Sequence, residues 1–371
     1  MTHVAASSPP DAAALAPGVA VRRAHPDADG YVGAAPIGRE EREARLDAVL
    51  APGATRPRGA GDRAIPESPD PSRLCFERDL DRVKHSRPWR RLAGKCQVFI
   101  APEDDHLRTR LTHAVEVAQV ATGVARAVGL CLPLTEAIAL AHDCGHGPAG
   151  HASEQAFSPY LPGIGYDHAV YGADVTLVPL NLCRETLDGV RNHSWRRPAP
   201  ATPEGEVVAW ADRIAYVCHD FEDAVRAGIL APADLPGAVA EVVGIRRSEQ
   251  IGTFVNAVLD AVAHTGRVAM TEPAAVALQA FRDFNFERIY LRPASRVQAE
   301  KVIRLLRGLV DHFTDAPRRL PDGARTDAPR AGSSEAAALA VRYVSGMTDR
   351  FALGLGVELL GWRPEDLPRG V

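Results

Sequence analysis

The sequence predicts an all-α protein. Apolar residues recur at helical spacing in residues 107–129 and again in 207–225, long β-type alternation is absent, and the last third is a succession of helical segments. A chain of 371 residues is long for one domain, although an all-helical enzyme of this size can be a single unit. A formal net charge of -4 and an isoelectric point near 6.4 give no global argument for nucleic-acid or membrane binding. The six cysteines are scattered without a Cys-x-x-Cys pair, which predicts reduced thiols rather than a disulfide frame or a zinc finger. No apolar signal core or bilayer-length apolar run is present, so a soluble, cytoplasmic protein is expected.

Residues 1–38, rich in Ala, Pro and Gly, are expected to form a flexible N-terminal arm. Residues 39–106 then read as a helical and extended segment, with a short helix over 39–50 and a basic cluster of Arg78, Arg82, Lys84, Arg87, Arg90, Arg91 and Lys95. These cations suit either a solvated helix face or a polyanionic substrate, because guanidinium forks grip phosphate oxygens. Gln97, close behind them, both donates and accepts and so can read a sugar or base.

The core is expected over 107–230. On the helix at 107–129, His113 begins the apolar stripe that continues through Val117, Val120, Ala121, Val124 and Val128. A lone His there is usually a satisfied core residue. Arg108 and Arg110 lie near the helix start, whose positive end favours phosphate. A second helix over 133–141 delivers the motif His142-Asp143-Cys144-Gly145-His146-Gly147-Pro148-Ala149-Gly150-His151, three imidazoles and a carboxylate that no packing need explains. Neighbours on a helix diverge by about 100°, so His142 and Asp143 can share an ion only where the helix ends, and the glycines supply that turn.

Beyond the motif, Glu154 shares a helical face with His151, which allows an acid-base dyad or merely a helix-start carboxylate. His168 follows a Pro/Gly-rich loop as a further phosphate-contact candidate, and residues 185–193 read as a short helix ending in a polar, His-bearing turn. Over 207–225, Asp212, Tyr216, His219, Asp220 and Asp223 recur at near-helical spacing among apolar residues. A carboxylate at Asp212 needs a partner there, either a metal or an Arg such as Arg213. Residues 231–371 are expected to be helical scaffold with subunit contacts, through helices at 237–243, 250–264, 274–282, 294–313 and 335–359.

An ion needs about three or four protein groups, and His113, His142, Asp143 and Asp212 provide a two-His, two-Asp shell from three helices. Mixed nitrogen and oxygen ligands suit a divalent ion and leave Mn, Mg, Fe, Co and Zn open. Such an ion polarises a phosphoryl oxygen and lowers the pKa of water.

The ordered blocks FERDLDRVKHSRPWRRLAGKCQVF, RTRLTHAVEVAQVA, EAIALAHDCGHGPAGHASE, ETLDGVRNH, ADRIAYVCHDFEDAVRAG and YVSGMTDRFAL cover most of the chain after the arm. Together they resemble the HD-domain deoxynucleoside triphosphate triphosphohydrolases, the deoxyguanosinetriphosphate triphosphohydrolase-like proteins of bacteria. The resemblance implies an HD-domain helical fold with additional C-terminal helices, homo-oligomers, and hydrolysis of a dNTP to deoxynucleoside and inorganic triphosphate. It implies His113, His142, Asp143 and Asp212 as metal ligands and His151 with Glu154 as the catalytic dyad. His146 and His168 match histidines that line the phosphates, Arg110 and Arg213 match basic phosphate contacts, and Gln97, Tyr216 and Asp220 match the wall that reads the deoxyribose. The chain departs from the family pattern at Ala149 (usually Phe), Ala114 (commonly Ser), Ala169 (usually Asn) and Arg342, which stands where an acidic residue often precedes the Tyr.

The mechanism expected from these residues is attack of water on the α-phosphorus while the ion and Arg110 neutralise the phosphates. His151, oriented by Glu154, then protonates the leaving 5′-oxygen or manages the water. A nucleotidase or phosphodiesterase built on the same ligands is the nearest rival. A non-catalytic nucleotide or single-stranded nucleic-acid sensor, with residues 78–95 as contact surface, is the rival from another class. A nucleotide effector and weak single-stranded nucleic-acid binding complete the partners considered, beside the dNTP substrate.

Overall fold

A computed structural model describes residues 21–30, 32–100, 104–163, 165–324 and 329–370. The chain divides into two units, Met1–Ile37 and Gly38–Val371. In the first, the described residues form turns, such as Ala28 N donating to His25 O at 3.1 Å, and the remainder of the expected arm lies outside the described residues.

The second unit is all-α: the described residues contain fifteen helices and no strand, only two isolated bridges, Arg63 with Cys183 and Cys96 with Thr109. The helices are α1 (Arg39–Asp47), α2 (Cys75–Lys84), α3 (Arg87–Arg91), α4 (Arg110–Val128), α5 (Leu132–Ala141), α6 (His151–Phe157), α7 (His168–Tyr171), α8 (Arg184–Asn192), α9 (Pro203–Arg226), α10 (Gly237–Val243), α11 (Arg247–Thr265), α12 (Glu272–Asn285), α13 (Pro293–Asp315), α14 (Ser334–Ser345) and α15 (Asp349–Leu360). None is long and apolar enough to cross a membrane. All six cysteines are free and buried.

Helix α5 lies at the centre because it is apolar around most of its circumference, with Glu136 its one charged residue, and α2, α4, α8 and α9 pack around it. Its start is tied to that of α9 through one buried carboxylate. Glu204 Oε1 accepts from Cys131 N and Thr55 N, both at 3.0 Å, and Oε2 accepts from Thr55 Oγ1 at 2.7 Å. The N-terminus of α9 is set by Thr202, whose hydroxyl accepts from Gly205 N, followed by Pro203 in the first turn. A second apolar cluster joins α6 to α13, α14 and α15. The turn between α5 and α6 therefore runs from one core to the other.

The structure corrects the sequence reading in two places. The single helix expected over 335–359 is two, α14 and α15, because Gly346 interrupts it and the Thr348 hydroxyl caps a new start by accepting from Phe351 N. Three of the seven cations of the basic cluster are spent on local acids: Arg78 and Arg82 both hold Glu67, the latter at 2.6 Å, and Lys84 holds Glu136 at 2.8 Å.

Candidate metal centre

His142 occupies the C-cap of α5 and is fully buried. Its Nδ1 lies 2.7 Å from Ala139 O, so Nδ1 carries the hydrogen and Nε2 is left as a bare lone pair with no hydrogen-bond partner. That lone pair faces two carboxylates, Asp143 Oδ1 at 3.4 Å and Asp212 Oδ1 at 3.6 Å. Asp212, from the middle of α9, also lies 3.0 Å from Nε2 of His113 in the second turn of α4. Ligand atoms of His113, His142 and Asp143 lie within 4.8 Å of one another, as do those of His142, His193 and Asp212. Three helices thus turn imidazole nitrogens and carboxylate oxygens toward one another, a ligand set that suits a divalent cation.

Electrostatics agree with that geometry. Burial works against the charge on Asp143, yet its interactions with His142 and with the Arg110 guanidinium hold it well below the usual carboxylate range. Asp212 is lowered in the same way, by its hydrogen bond to His113 and by His142 against the cost of burial. The alternative partner for Asp212 is not taken up. Arg213 instead stacks its guanidinium over Trp195, 3.5 Å from the ring centroid, with Nε buried and unpartnered.

The turn after Asp143 is forced by close approach. A Cβ on Gly145 would overlap His168 O and Gly172 N, so only glycine lets this turn lie against α7. The approach stacks His146 on His168, with ring centroids 3.7 Å apart. At Gly150, where φ is +59°, a Cβ would strike Arg110 Nη2. The absence of one leaves room for the Arg110 guanidinium, which donates to Asp143 Oδ2 at 2.7 Å.

His146, His151 and His168 bring a ring nitrogen each within 4.8 Å of one another. Glu154 pairs with His168 rather than with His151: its Oε1 lies 2.6 Å from His168 Nδ1 and accepts from His168 N at 3.2 Å. On the other side, His168 Nε2 is 3.2 Å from His193 Nε2, and His193 Nδ1 already faces Val190 O at 2.7 Å. His193 Nε2 is therefore the acceptor and His168 carries hydrogens on both nitrogens. Burial opposes that charge, but the Glu154 hydrogen bond and the Glu154 and Asp143 carboxylates outweigh it and raise the His168 pKa. His151 behaves in the opposite way. Its outer edge is open to solvent, yet the protein packed around the ring and the Arg110 cation push its pKa down to about 4, so it is neutral at pH 7.

Beyond the imidazoles, Gln97 Oε1 is buried without a partner. Tyr216 Oη accepts from Arg282 Nε at 3.0 Å. Asp220 Oδ2 accepts from Tyr290 Oη, and burial raises its carboxyl to about 7. Arg108, expected near phosphate, is occupied by Asp223, Glu116 and Glu222.

Four contributors escaped sequence reasoning as site residues. His193 sat in the polar turn already noted, and its position beside His142, with ring centroids 4.9 Å apart, gives that turn a purpose. Lys95, part of the basic cluster, is buried and donates to His146 O and Ser345 O. Arg282 and Tyr290 come from the region read as scaffold, and no local signal marked them.

The HD domain profile matches residues 110–217, which contain all four proposed ligands, and the phosphohydrolase-associated domain profile matches residues 268–356. Fold and site together define an HD-domain phosphohydrolase. A deoxyguanosinetriphosphate triphosphohydrolase-like protein of Caldanaerobacter subterraneus subsp. tengcongensis is 40% identical over 320 residues, 85% of this chain and 92% of its own. Proteins of the same name from Clostridium perfringens strain 13 and Jannaschia sp. are 38% and 34% identical, covering 77% and 82% of this chain and 86% and 94% of theirs. The chain belongs to the deoxyguanosinetriphosphate triphosphohydrolase-like family.

Proposed function

We propose that the protein hydrolyses deoxynucleoside triphosphates to deoxynucleoside and inorganic triphosphate, with a divalent ion held by His113, His142, Asp143 and Asp212. The observation that carries this is the buried, unpartnered Nε2 of His142 between two carboxylates, beside the stacked imidazoles of His146 and His168. When bound, the ion supplies Lewis-acid polarisation of phosphoryl oxygen and a lowered water pKa.

The chain's own groups divide the remaining work. Doubly protonated His168 presents positive charge toward the phosphates and is held in place by Glu154 and His193. Arg110 adds a second fixed cation. Neutral His151, open on its outer edge, accepts the proton of the attacking water at the α-phosphorus. The P–O bond to the 5′-oxygen then breaks, releasing triphosphate, and the nucleoside oxygen takes up a proton from solvent or from His168. Gln97, Tyr216 and Asp220 form the wall against the deoxyribose, with Asp220 anchored by Tyr290.

The test is purified protein incubated with each dNTP and rNTP in Mn, Mg or Co, with products resolved by anion-exchange chromatography. One triphosphate per deoxynucleoside is expected. Stepwise release of phosphate or pyrophosphate would assign a nucleotidase instead, and absence of turnover with every metal would leave a binding protein.

A further inference from the structure

Against Cys144 of the metal motif lies a small cavity of about 140 Å³ between α3, α14 and the segment after α7. Its wall includes Arg91, Lys95, Arg342, Tyr171, Thr176 and Ser345. No aspartate or glutamate lines it. We propose that this cavity is a second anion site, separate from the metal centre, which takes a phosphate-class oxyanion.

Charge is the first ground. Several buried or half-buried arginines in this part of the fold are matched by acids: Arg63 by Asp79, Arg78 and Arg82 by Glu67, Arg108 by three carboxylates, Arg110 by Asp143. Among the described residues Arg91 has no acid partner, and its Nε is buried without a hydrogen-bond partner. Burial and the nearby Arg87 cation both lower its pKa, so its surroundings disfavour the charge it carries. Arg342 is likewise without a carboxylate partner among the described residues. Lys95, buried between them, has only the carbonyls of His146 and Ser345. Asp349, a carboxylate that Lys95 feels, is occupied by Cys96 N and Ala149 N and is absent from the cavity wall. Two guanidiniums and a buried lysine around one cavity, with no carboxylate on its wall, leave a deficit that an oxyanion fills.

Position and size are the second ground. Arg91 lies close over Gly346, its Nη1 3.0 Å from where a Cβ would stand, so the glycine gives the guanidinium its room beside the cavity. A cavity of this volume is well below the roughly 300–1,000 Å³ of pockets for drug-sized ligands, so it admits an inorganic phosphate or pyrophosphate, or only the phosphate end of a larger molecule. An open groove of about 600 Å³ adjoins it through Arg91 and Gly346 and carries Phe351 on its wall. The occupant is thus either a free oxyanion or a phosphate tail whose remainder rests in that groove. Cys144, next to Asp143, forms the inner wall, so the anion sits directly behind the metal motif.

The experiment is calorimetric titration of metal-loaded protein with inorganic pyrophosphate, which needs no turnover. Wild type is expected to show two classes of site. Arg342→Glu, at an exposed position, should lose one class by about tenfold or more in affinity, while His151→Ala keeps that class. Arg342→Ala, which only removes a cation, should weaken the same class and guards against misfolding of the reversed charge. A deoxynucleoside diphosphate distinguishes the two sources. Tighter binding than pyrophosphate at this class, abolished by Phe351→Ala, identifies a phosphate tail; equal affinity, indifferent to Phe351, identifies a free oxyanion. Titrations of both Arg342 variants that superimpose on wild type would overturn the proposal, whatever the protein hydrolyses.

Discussion

Glu154 Oε1 sits 2.6 Å from Nδ1 of His168, so the carboxylate expected to orient His151 instead holds the neighbouring imidazole. Two consequences follow for the chemistry. His168 is kept charged and fixed, and His151 is left without a carboxylate hydrogen bond, so that burial and the Arg110 cation outweigh the more distant pull of Glu154 and Asp143 on its pKa.

Replacing Glu154 by Gln keeps the shape and removes the charge. Turnover should fall by about 10²–10⁴, with metal content unchanged by elemental analysis. Because the two residues act as a unit, Glu154→Gln combined with His168→Ala should cost little more than the worse single variant. Additive losses would show that Glu154 serves His151 after all.

Metal retention separates the roles along the motif. His142→Ala removes the central nitrogen of the shell and should lose both bound ion and activity. His151→Ala should keep the ion and lose most turnover. Full metal occupancy in His142→Ala would contradict the ligand set.

A clean stability prediction lies away from the site, at the ion pair of Arg63 and Asp79, 2.6 Å apart and buried on both sides. Asp79 also accepts from Cys183 N at 2.8 Å and Thr186 Oγ1 at 2.7 Å. Asp79→Ala strands the guanidinium and two further donors and should cost about 3–5 kcal/mol, read by urea denaturation. A loss below about 1 kcal/mol would show the pair to be dispensable.

Lys95 sets a pH dependence. Burial, and then the Arg91 cation, push its pKa down to about 7 from the ordinary 10.5. Between those values the unfolded chain binds more protons at this group than the folded one, so its contribution to stability rises with pH across that window. The difference in unfolding free energy between wild type and Lys95→Met should therefore move in favour of wild type from pH 7 to pH 10. A constant difference would place the lysine in an ordinary environment.

Sugar discrimination tests the pocket wall. Tyr216→Ala opens space beside Arg282 and should reduce the dNTP to rNTP ratio of kcat/KM by about tenfold or more. An unchanged ratio would move the selecting contact elsewhere.

The all-α class and the motif at residues 142–151 were legible in the sequence because helical periodicity is local, and because a glycine-rich turn with three histidines has no packing explanation. The placing of His113 and Asp212 toward His142 was inferable only by asking what the motif lacked, and family resemblance supported the answer. Partnerships were not legible. That Glu154 takes His168, that His193 completes the imidazole chain, and that Arg282 and Tyr290 reach back from α12 and the turn after it are contacts between residues 14 to 70 positions apart. The same limit applied to the basic segment, whose composition is uniform while its fates differ: Arg78 and Arg82 meet Glu67, whereas Arg91 meets no acid. Local propensity fixes which face a side chain leaves its own helix from. Which group it then meets is decided by how α4, α5, α9 and α12 pack, since hydrogen bonds and ion pairs depend on separations of a few ångströms that spacing along the chain does not encode.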